Sequence, residues 1–419
     1  MAVHERWLVL AWVVMLGLTL IGEPAPTAVG PAEALLVGCV LLLAIAALAR
    51  ARLVRQWQLG PSHLSILAVT AAYCLSLLAG MAVGLIRGAS LPAVARAASP
   101  YLVFLPVAAS GAWLGRGSTV AATVRAMVLV GLAHAIFLLA LFGTGVQDLL
   151  DLRAVFLGRT TLLDARTTVP LFLASALLPL AWIGEGRVGR RLTAAALVTL
   201  SVAGALSTQT RSQLLALAAG VITFLPFYGI WWARRTGRSL ARATRRMVLA
   251  GLAGAVVAGT TIATIPTLRV LAQAVTLRTA TDQDNGRIAN EWVPAVRQVS
   301  ATASSMVVGI GAGRSFITGE GEERTYAHNL GIYSLVYGGV SGVVIVTLFY
   351  LVLAMALARR FHRESNLESA ALLALLVALV TYAQFFAVHK LLSYNLMLAL
   401  IAQAAASGRA WVSAPRGRG

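Results

Sequence analysis

Long apolar runs recur along the whole chain and constrain its fold more than any other feature. They extend for about 17 to 25 residues, the length that an α-helix needs to cross a hydrocarbon core about 30 Å thick. Lipid offers no hydrogen-bond partners, so the backbone groups of such a run must pair within it, which favours helices. Only 12% of the 419 residues are charged, about half the share found in soluble domains. We therefore predict an all-α, polytopic integral membrane protein.

The apolar runs predict about twelve membrane-spanning helices. The predicted spans are residues 7–21, 34–49, 64–86, 101–114, 126–142, 169–183, 192–206, 214–232, 248–265, 330–358, 370–388 and 391–406. The first run is not a lone signal peptide, because similar runs follow it and no small-residue cleavage site closes it. Residues 1–265 then hold nine spans, residues 266–328 form one long loop domain, and residues 329–419 hold three spans and a tail.

Charge gives the predicted orientation. The chain has 34 basic and 15 acidic residues, a formal net charge of +19. With the N-terminus inside, every dense arginine group falls on one side, as the positive-inside bias of cytoplasmic loops requires. These groups include residues 50–55, 187–191, 234–246 and 359–363. The excess of basic residues therefore reflects the orientation of the chain in the membrane and does not indicate a protein that binds nucleic acid. Both termini are predicted to be cytoplasmic, and the 266–328 loop to lie outside.

Two arginines fall on the outer side, where this bias disfavours them. Arg211 occupies a tight turn between two spans, and Arg287 lies in the long loop. A guanidinium carries a permanent charge and matches phosphate in a bidentate manner, so both are candidate anion ligands. The alternatives are an arginine that reaches lipid headgroups for Arg211 and a solvated loop residue for Arg287. Asp282 and Asp284 have a spacing that can hold a divalent ion, although such pairs are common by chance.

His328 and Asn329 lie where the long loop meets the next apolar run. A neutral imidazole takes up a proton near neutral pH, as a general base must, so His328 is a candidate catalytic residue. The alternative is an ordinary interfacial residue at the start of a helix. His134 lies within a predicted span, where a structural hydrogen bond to a neighbouring helix is expected. His389 and Lys390 are predicted to form an interfacial turn. The glycines of residues 309–313 let the backbone bend or approach a neighbour closely.

The residues after His328 extend this motif. His328 and Asn329 are followed by nine residues and then by Gly339-Val340-Ser341-Gly342. This resembles the H-[NSQ]-x9-G-x-x-G signature of the O-antigen ligase and polymerase superfamily of membrane glycosyltransferases.

The resemblance continues upstream, over about residues 207–342. That family typically has an arginine in an S/T-x-S/T-R turn, here at Arg211. It also has a second arginine followed by an aromatic residue and a glycine turn, here Arg287, Trp292 and residues 309–313. One extra residue separates Arg287 from Trp292 compared with the family pattern, and the proline usual before the glycine turn is absent.

The resemblance implies a GT-C-like fold and an O-antigen ligase of the cell inner membrane. Such an enzyme transfers a glycan from undecaprenyl diphosphate to a lipid A-core hydroxyl at the periplasmic face, with inversion and without a metal or cofactor. His328 would be the general base, Arg211 and Arg287 would bind the diphosphate, and the supporting residues would be Asn329, Trp292, Gly339 and Gly342. The implied partners are the lipid-linked donor, the lipid A-core acceptor and membrane lipids, with no nucleic acid.

Two alternatives to the ligase stay open. An O-antigen or exopolysaccharide polymerase of the same superfamily uses the same chemistry on another lipid-linked repeat unit. A length near 420 residues, about twelve spans and one late outer loop favour the ligase. A secondary transporter or flippase is the alternative from another class. It predicts ionisable groups near the middle of the membrane and broken helices in symmetric halves.

Overall fold

A computed structural model describes residues 61–102, 104, 117–143, 169–183, 188–207, 211–239 and 286–406, together with isolated positions within 34–45 and 241–264. The described residues are mostly helical (84%). The helices of the described ranges up to residue 239 are α1 (Pro61–Ile86), α2 (Leu91–Leu102), α3 (Gly117–Gly143), α4 (Val169–Leu177), α5 (Leu180–Ile183), α6 (Val188–Ser207) and α7 (Arg211–Thr236). A π-helical turn (Ile288–Trp292), α8 (Val293–Ser300), α9 (Ala303–Val308), β1 (Phe316–Ile317) and β2 (Glu323–Arg324) follow. The last elements are α10 (Leu330–Glu364), α11 (Leu367–Ala383), a 3₁₀ turn (Val388–Lys390) and α12 (Leu392–Ala406).

The described helices include segments that are long and apolar enough to cross a membrane. Three are Leu64–Ile86, Ser212–Thr236 and Leu330–Glu364, and they coincide with the predicted spans 64–86, 214–232 and 330–358. Shorter apolar helices lie at the predicted spans 126–142, 169–183, 370–388 and 391–406. A mostly helical protein with segments long and apolar enough to span a membrane is therefore confirmed. The predicted spans 7–21, 101–114 and 248–265 lie wholly or mostly outside the described residues, so the count of twelve and the GT-C-like fold stay predictions.

Burial separates a central layer of helices from an outer one. Every residue of α4 and of α12 is buried, and most of α11 is too. By contrast, α1, α7 and α10 expose large apolar side chains, among them Leu75, Ile222 and Leu348. Apolar side chains on the outside of a bundle are favourable in lipid and unfavourable in water. The outer helices thus have the surface expected of a membrane protein.

The described part of the predicted loop domain is folded. Residues 286–328 form the π-turn, α8, α9 and the two-stranded β1–β2 hairpin, in which Phe316 pairs with Arg324. Ala295, Val299 and Phe316 pack with Val336 of α10 in a small apolar core. This core attaches the element to the first turns of α10 and so to the place where His328 precedes that helix.

Candidate functional site

Asn329 fixes the start of α10. It has extended backbone angles, and its side-chain Oδ1 accepts a hydrogen bond from the N–H of Ile332 at 3.0 Å, as an N-cap residue does. Its Nδ2 donates to the main-chain oxygen and to Oε1 of Gln384, both at 3.1 Å. Gln384 directly follows α11, so Asn329 joins the beginning of one helix to the end of another. His328 is held immediately beside this junction.

The closest partner of His328 is Glu291, a residue that the sequence motifs did not indicate. One carboxylate oxygen of Glu291 accepts a short hydrogen bond from the backbone N–H of His328. The other oxygen lies 2.9 Å from Nδ1 of the imidazole. The Glu291 side chain is 1% exposed, whereas that of His328 is 19% exposed. The imidazole is therefore held from its buried side while part of it reaches solvent.

The charge state of Glu291 determines which nitrogen of His328 is free. Burial alone would raise the pKa of Glu291, but the hydrogen bonds and charge of His328, together with Arg324, lower the pKa below its ordinary value. The carboxylate is consequently ionised at neutral pH and can only accept hydrogen bonds. Nδ1 of neutral His328 must then carry the proton, which leaves the lone pair of Nε2 available.

An open pocket of about 400 Å³ lies beside this pair. Its lining comprises Gly286, Arg287, Asn290, Glu291, Thr318, Glu320, Arg324 and His328. The predicted base His328 and the predicted anion ligand Arg287 therefore share one pocket. Arg287 donates from Nη1 to the main-chain oxygen of Phe385 at 2.8 Å, which anchors the guanidinium at the connector between α11 and α12. The same connector holds Asn329.

Arg324 is the second guanidinium in the pocket, and sequence reasoning missed it. It lies 3.6 Å from Glu291 and 2.9 Å from Glu322, and its side chain is 33% exposed. No local pattern marks Arg324, because its position depends on the β1–β2 hairpin that folds strand β2 back towards Glu291.

A π-helical turn follows Arg287 and contains Glu291. It comprises Ile288–Trp292, and Trp292 is half-buried at its end. A π-helical turn contains one more residue than an α-helical turn and is often found at functional sites. The turn carries Glu291 towards His328.

Arg211 begins α7, and its side chain lies outside the described part of the structure. The packing of α7 nevertheless places its backbone. A side chain at Gly220 would meet Ala374 and Ala378 of α11, and Arg234 donates to the main-chain oxygen of His362 at 3.1 Å. The two helices are thus antiparallel. Arg211 is nine residues before Gly220, and Phe385 is seven residues after Ala378, so both lie at the same end of the bundle.

The glycines of residues 309–313 and of the motif after His328 permit close approaches between backbone segments. Gly309 and Gly339 both have positive φ angles, of 76° and 63°, and added side chains would clash with neighbouring backbone. Gly311 approaches Gly84 of α1, and a side chain at Gly342 would meet the main-chain oxygen of Ser334 at 2.7 Å. These positions, including the supporting residues Gly339 and Gly342, allow close backbone packing around the site.

His134 and His389 do not line the pocket. His134 is buried in α3 and stacks on Phe172 of α4 with ring centroids 5.1 Å apart, in agreement with a structural role. His389 is buried and packs against Tyr333 at 4.1 Å, while Lys390 lies 3.4 Å from the ring centre of Tyr326. Burial, followed by the charges of Lys390 and His328, lowers the pKa of His389 well below its ordinary value, so it is neutral.

Asp282 and Asp284 lie outside the described residues. Within the part of the chain that the structure does describe, no three His, Cys, Asp or Glu side chains group as a metal site would require. No protein-family model matches the chain, and no curated protein matches it in sequence.

Proposed function

We propose that this protein is a membrane glycosyltransferase that uses a polyprenyl-diphosphate-linked glycan as donor, and specifically an O-antigen ligase. One observation carries the proposal. The Glu291–His328 pair, which presents a free imidazole nitrogen, lies in the same pocket as Arg287 and Arg324. A base beside two cations is suited to the transfer of a group from an anionic leaving group to a hydroxyl.

His328 acts as the general base. Its Nδ1–H donates to Glu291, so Nε2 accepts the proton of the acceptor hydroxyl as that oxygen attacks. The imidazolium that forms is stabilised by the adjacent carboxylate, in the way that an acid residue orients and stabilises histidine in catalytic triads. Glu291 is a positioning residue in this scheme, because it contacts His328 and not the reacting atoms.

The arginines stabilise the leaving group. The acceptor oxygen forms a bond to the anomeric carbon while the bond from that carbon to the diphosphate oxygen breaks, which inverts the configuration. The electron pair leaves with the diphosphate, and Arg287 and Arg324 in the pocket offset the charge that develops there. Arg211 begins α7 at the same end of the bundle and completes the clamp in this proposal.

The pocket volume and the charge distribution support this assignment. About 400 Å³ falls within the usual range for small-ligand sites, roughly 300 to 1,000 Å³, so the pocket accommodates the reacting head of the donor while the glycan extends outwards. Arg359, Arg360 and Arg363 lie near the far end of α10, whereas His328 precedes its start. The positive-inside bias then favours a pocket on the outer, periplasmic side of the inner membrane.

The direct test is transfer by purified protein in lipid nanodiscs, with EDTA present, a synthetic undecaprenyl-diphosphate glycan as donor and lipid A-core as acceptor. We expect product from the wild type and a rate reduced about 10²- to 10⁴-fold in His328→Ala, the usual contribution of a general base. His362→Ala is the matched control, because His362 lies in the last turn of α10, far from the pocket. Equal rates in His328→Ala and wild type would exclude the base assignment.

The acceptor separates the ligase from the polymerase. Product formed on lipid A-core indicates a ligase, and product formed only on a second lipid-linked repeat unit indicates a polymerase. Strict dependence on an added divalent ion would contradict the arginine clamp, and transfer to neither acceptor would contradict the glycosyltransferase proposal.

A further inference from the structure

We infer that residues 303–313, within the stretch that the sequence predicts to be an outer loop, lie in the membrane interface, with Met306, Val307 and Val308 in contact with lipid. This inference does not rest on the proposed function. It follows from the depth of the segment along the spanning helices, the pairing of its backbone groups and the exposure of its apolar side chains.

Two hydrogen bonds fix the depth of the segment. The N–H of Ala312 donates to the main-chain oxygen of Gly80 at 2.8 Å, and that of Ile310 donates to the main-chain oxygen of Val336 at 2.8 Å. Gly80 is six residues before the end of α1, and Val336 is six residues after the start of α10. At about 1.5 Å per residue, both positions are about 9 Å inside the ends of their helices. The segment therefore lies at the level of the outermost turns of two membrane-spanning helices.

Several polar backbone groups of the segment are paired with protein. Irregular backbone at membrane depth is tolerated only where protein or a water-filled cavity satisfies it. Besides the bonds to α1 and α10, the N–H of Gly309 donates to Ser305 at 2.7 Å, and the oxygen of Gly309 accepts from Arg87 at 2.7 Å. Gly339, the kink in α10, approaches Val307 so closely that a side chain there would clash. The segment thus meets the condition for non-helical backbone in the membrane.

The exposed surface of the segment is mostly apolar, with Ser304 as an exposed polar residue. Met306 is 52% exposed, Val307 57% and Val308 37%. Ile86 at the end of α1 is 85% exposed, and Leu91 at the start of α2 is 68% exposed. Ile86 and Leu91 belong to the apolar outer surface at the α1–α2 junction, and the segment is joined to this junction through Arg87. Arg87 turns its guanidinium to Ser305 and Gly309. Continuity with a membrane-spanning helix identifies lipid as the occupant of this surface.

One consequence concerns access to the pocket. α8 has eight residues and joins α9 to the π-turn that carries Glu291. An eight-residue helix is about 12 Å long, so the pocket lies a short helix away from the lipid-facing segment. A substrate whose reacting group stays near its membrane anchor can reach such a pocket without leaving the bilayer.

The test is nitroxide spin labelling of full-length protein in nanodiscs. Met306→Cys and Val307→Cys are labelled separately in a background in which Cys39 and Cys74 are replaced by alanine. Collision with oxygen, which partitions into lipid, is compared with collision with a water-soluble nickel chelate. We expect both labels to favour oxygen. Thr325→Cys, an exposed position on the hairpin side of the element, is the control and should favour the nickel chelate.

Other outcomes would overturn the inference. Labels at 306 and 307 that favour the nickel chelate would place the segment in water. Labels shielded from both reagents would show that a second copy or another part of the chain covers it. If the cysteine-free background does not fold, Val307→Trp in the native background gives the second measurement. Brominated lipids should then quench more of its fluorescence than that of the wild type, and an unchanged quenched fraction would contradict the inference.

Discussion

Glu291 and His328 are 37 residues apart in the sequence, yet one carboxylate binds both the ring and the backbone of the histidine. The motif around His328 predicts the base and says nothing about its partner, because the contact depends on how the π-turn packs against the start of α10. A sequence signal did exist. Glu291 is the single acidic residue in 286–300, a stretch whose other charged residues are Arg287 and Arg297. A buried carboxylate without partners is unfavourable by several kcal/mol, so an isolated acid there calls for a partner.

Glu291→Gln should reduce turnover more than substrate binding. The amide has one acceptor oxygen and cannot satisfy both N–H groups of His328, so the ring loses its fixed tautomer. We expect kcat to fall roughly 10²-fold or more with a small change in KM, in the range for general-base catalysis. Glu320→Gln is the matched control, because Glu320 lines the same pocket and contacts Asn290 instead. Equal losses in both variants would contradict the positioning role.

The pH dependence of stability provides a separate check on Glu291. Its pKa is lowered in the folded protein, so its stabilising contribution is present above the unfolded value of about 4.3 and is lost as pH falls through the folded pKa. The thermal midpoint of the wild type should therefore exceed that of Glu291→Gln at pH 6, and the difference should shrink as the pH falls below about 4. A difference that grows on acidification would mean that the pKa is raised instead.

At the scale of secondary-structure elements, glycine determines how closely the loop approaches the helices. The spacing from His328 to Gly339 and Gly342 was read from the sequence as a family signature. In the structure, Gly339 has φ 63° and ψ −158°, kinks α10 and admits the backbone of Val307. Only glycine adopts such angles without strain. The role of this glycine therefore depends on the contact between two elements and cannot be read from either alone.

Gly339→Ala should destabilise the protein by about 1 to 3 kcal/mol, the usual cost of such backbone strain, with any clash adding to it. Gly338→Ala is the matched control, because a side chain at Gly338 would meet no atom within 4 Å. Thermal unfolding in detergent should show a lower midpoint for Gly339→Ala and little change for Gly338→Ala. A similar midpoint for both variants would show that the positive φ and the approach to Val307 do not matter.

At the scale of the whole molecule, the bundle gathers groups from distant parts of the chain at one end. Residues 384–390 connect α11 to α12 and make three of these contacts. Phe385 accepts a hydrogen bond from Arg287, and Gln384 accepts one from Asn329. The ammonium group of Lys390 packs on the ring of Tyr326. The sequence suggested only an interfacial turn here. α7 runs antiparallel to α11, which places the start of α7, and hence the backbone of Arg211, near the same connector.

Cross-linking tests this arrangement. In a background without Cys39 and Cys74, the pair Arg211→Cys and Phe385→Cys should be joined by a short bifunctional maleimide in nanodiscs. Arg211→Cys with Leu367→Cys is the control, because Leu367 lies at the opposite end of α11, about 24 Å away along a 17-residue helix. Reaction of the control pair but not of the Phe385 pair would reverse the orientation that we assign to α7.

Many features of this protein could be predicted from its sequence alone. Apolar runs of spanning length predict helices because each run must satisfy its own backbone hydrogen bonds in lipid, a local requirement. The runs at 64–86, 214–232 and 330–358 accordingly match described helices, and the motif led to His328 and Arg287. Only tertiary packing places Glu291 beside His328 and Arg324 beside Glu291. Packing also places residues 303–313 against α1 and α10. Those contacts join residues far apart in sequence, and burial, close backbone approach and charge pairing between helices are properties of the folded bundle.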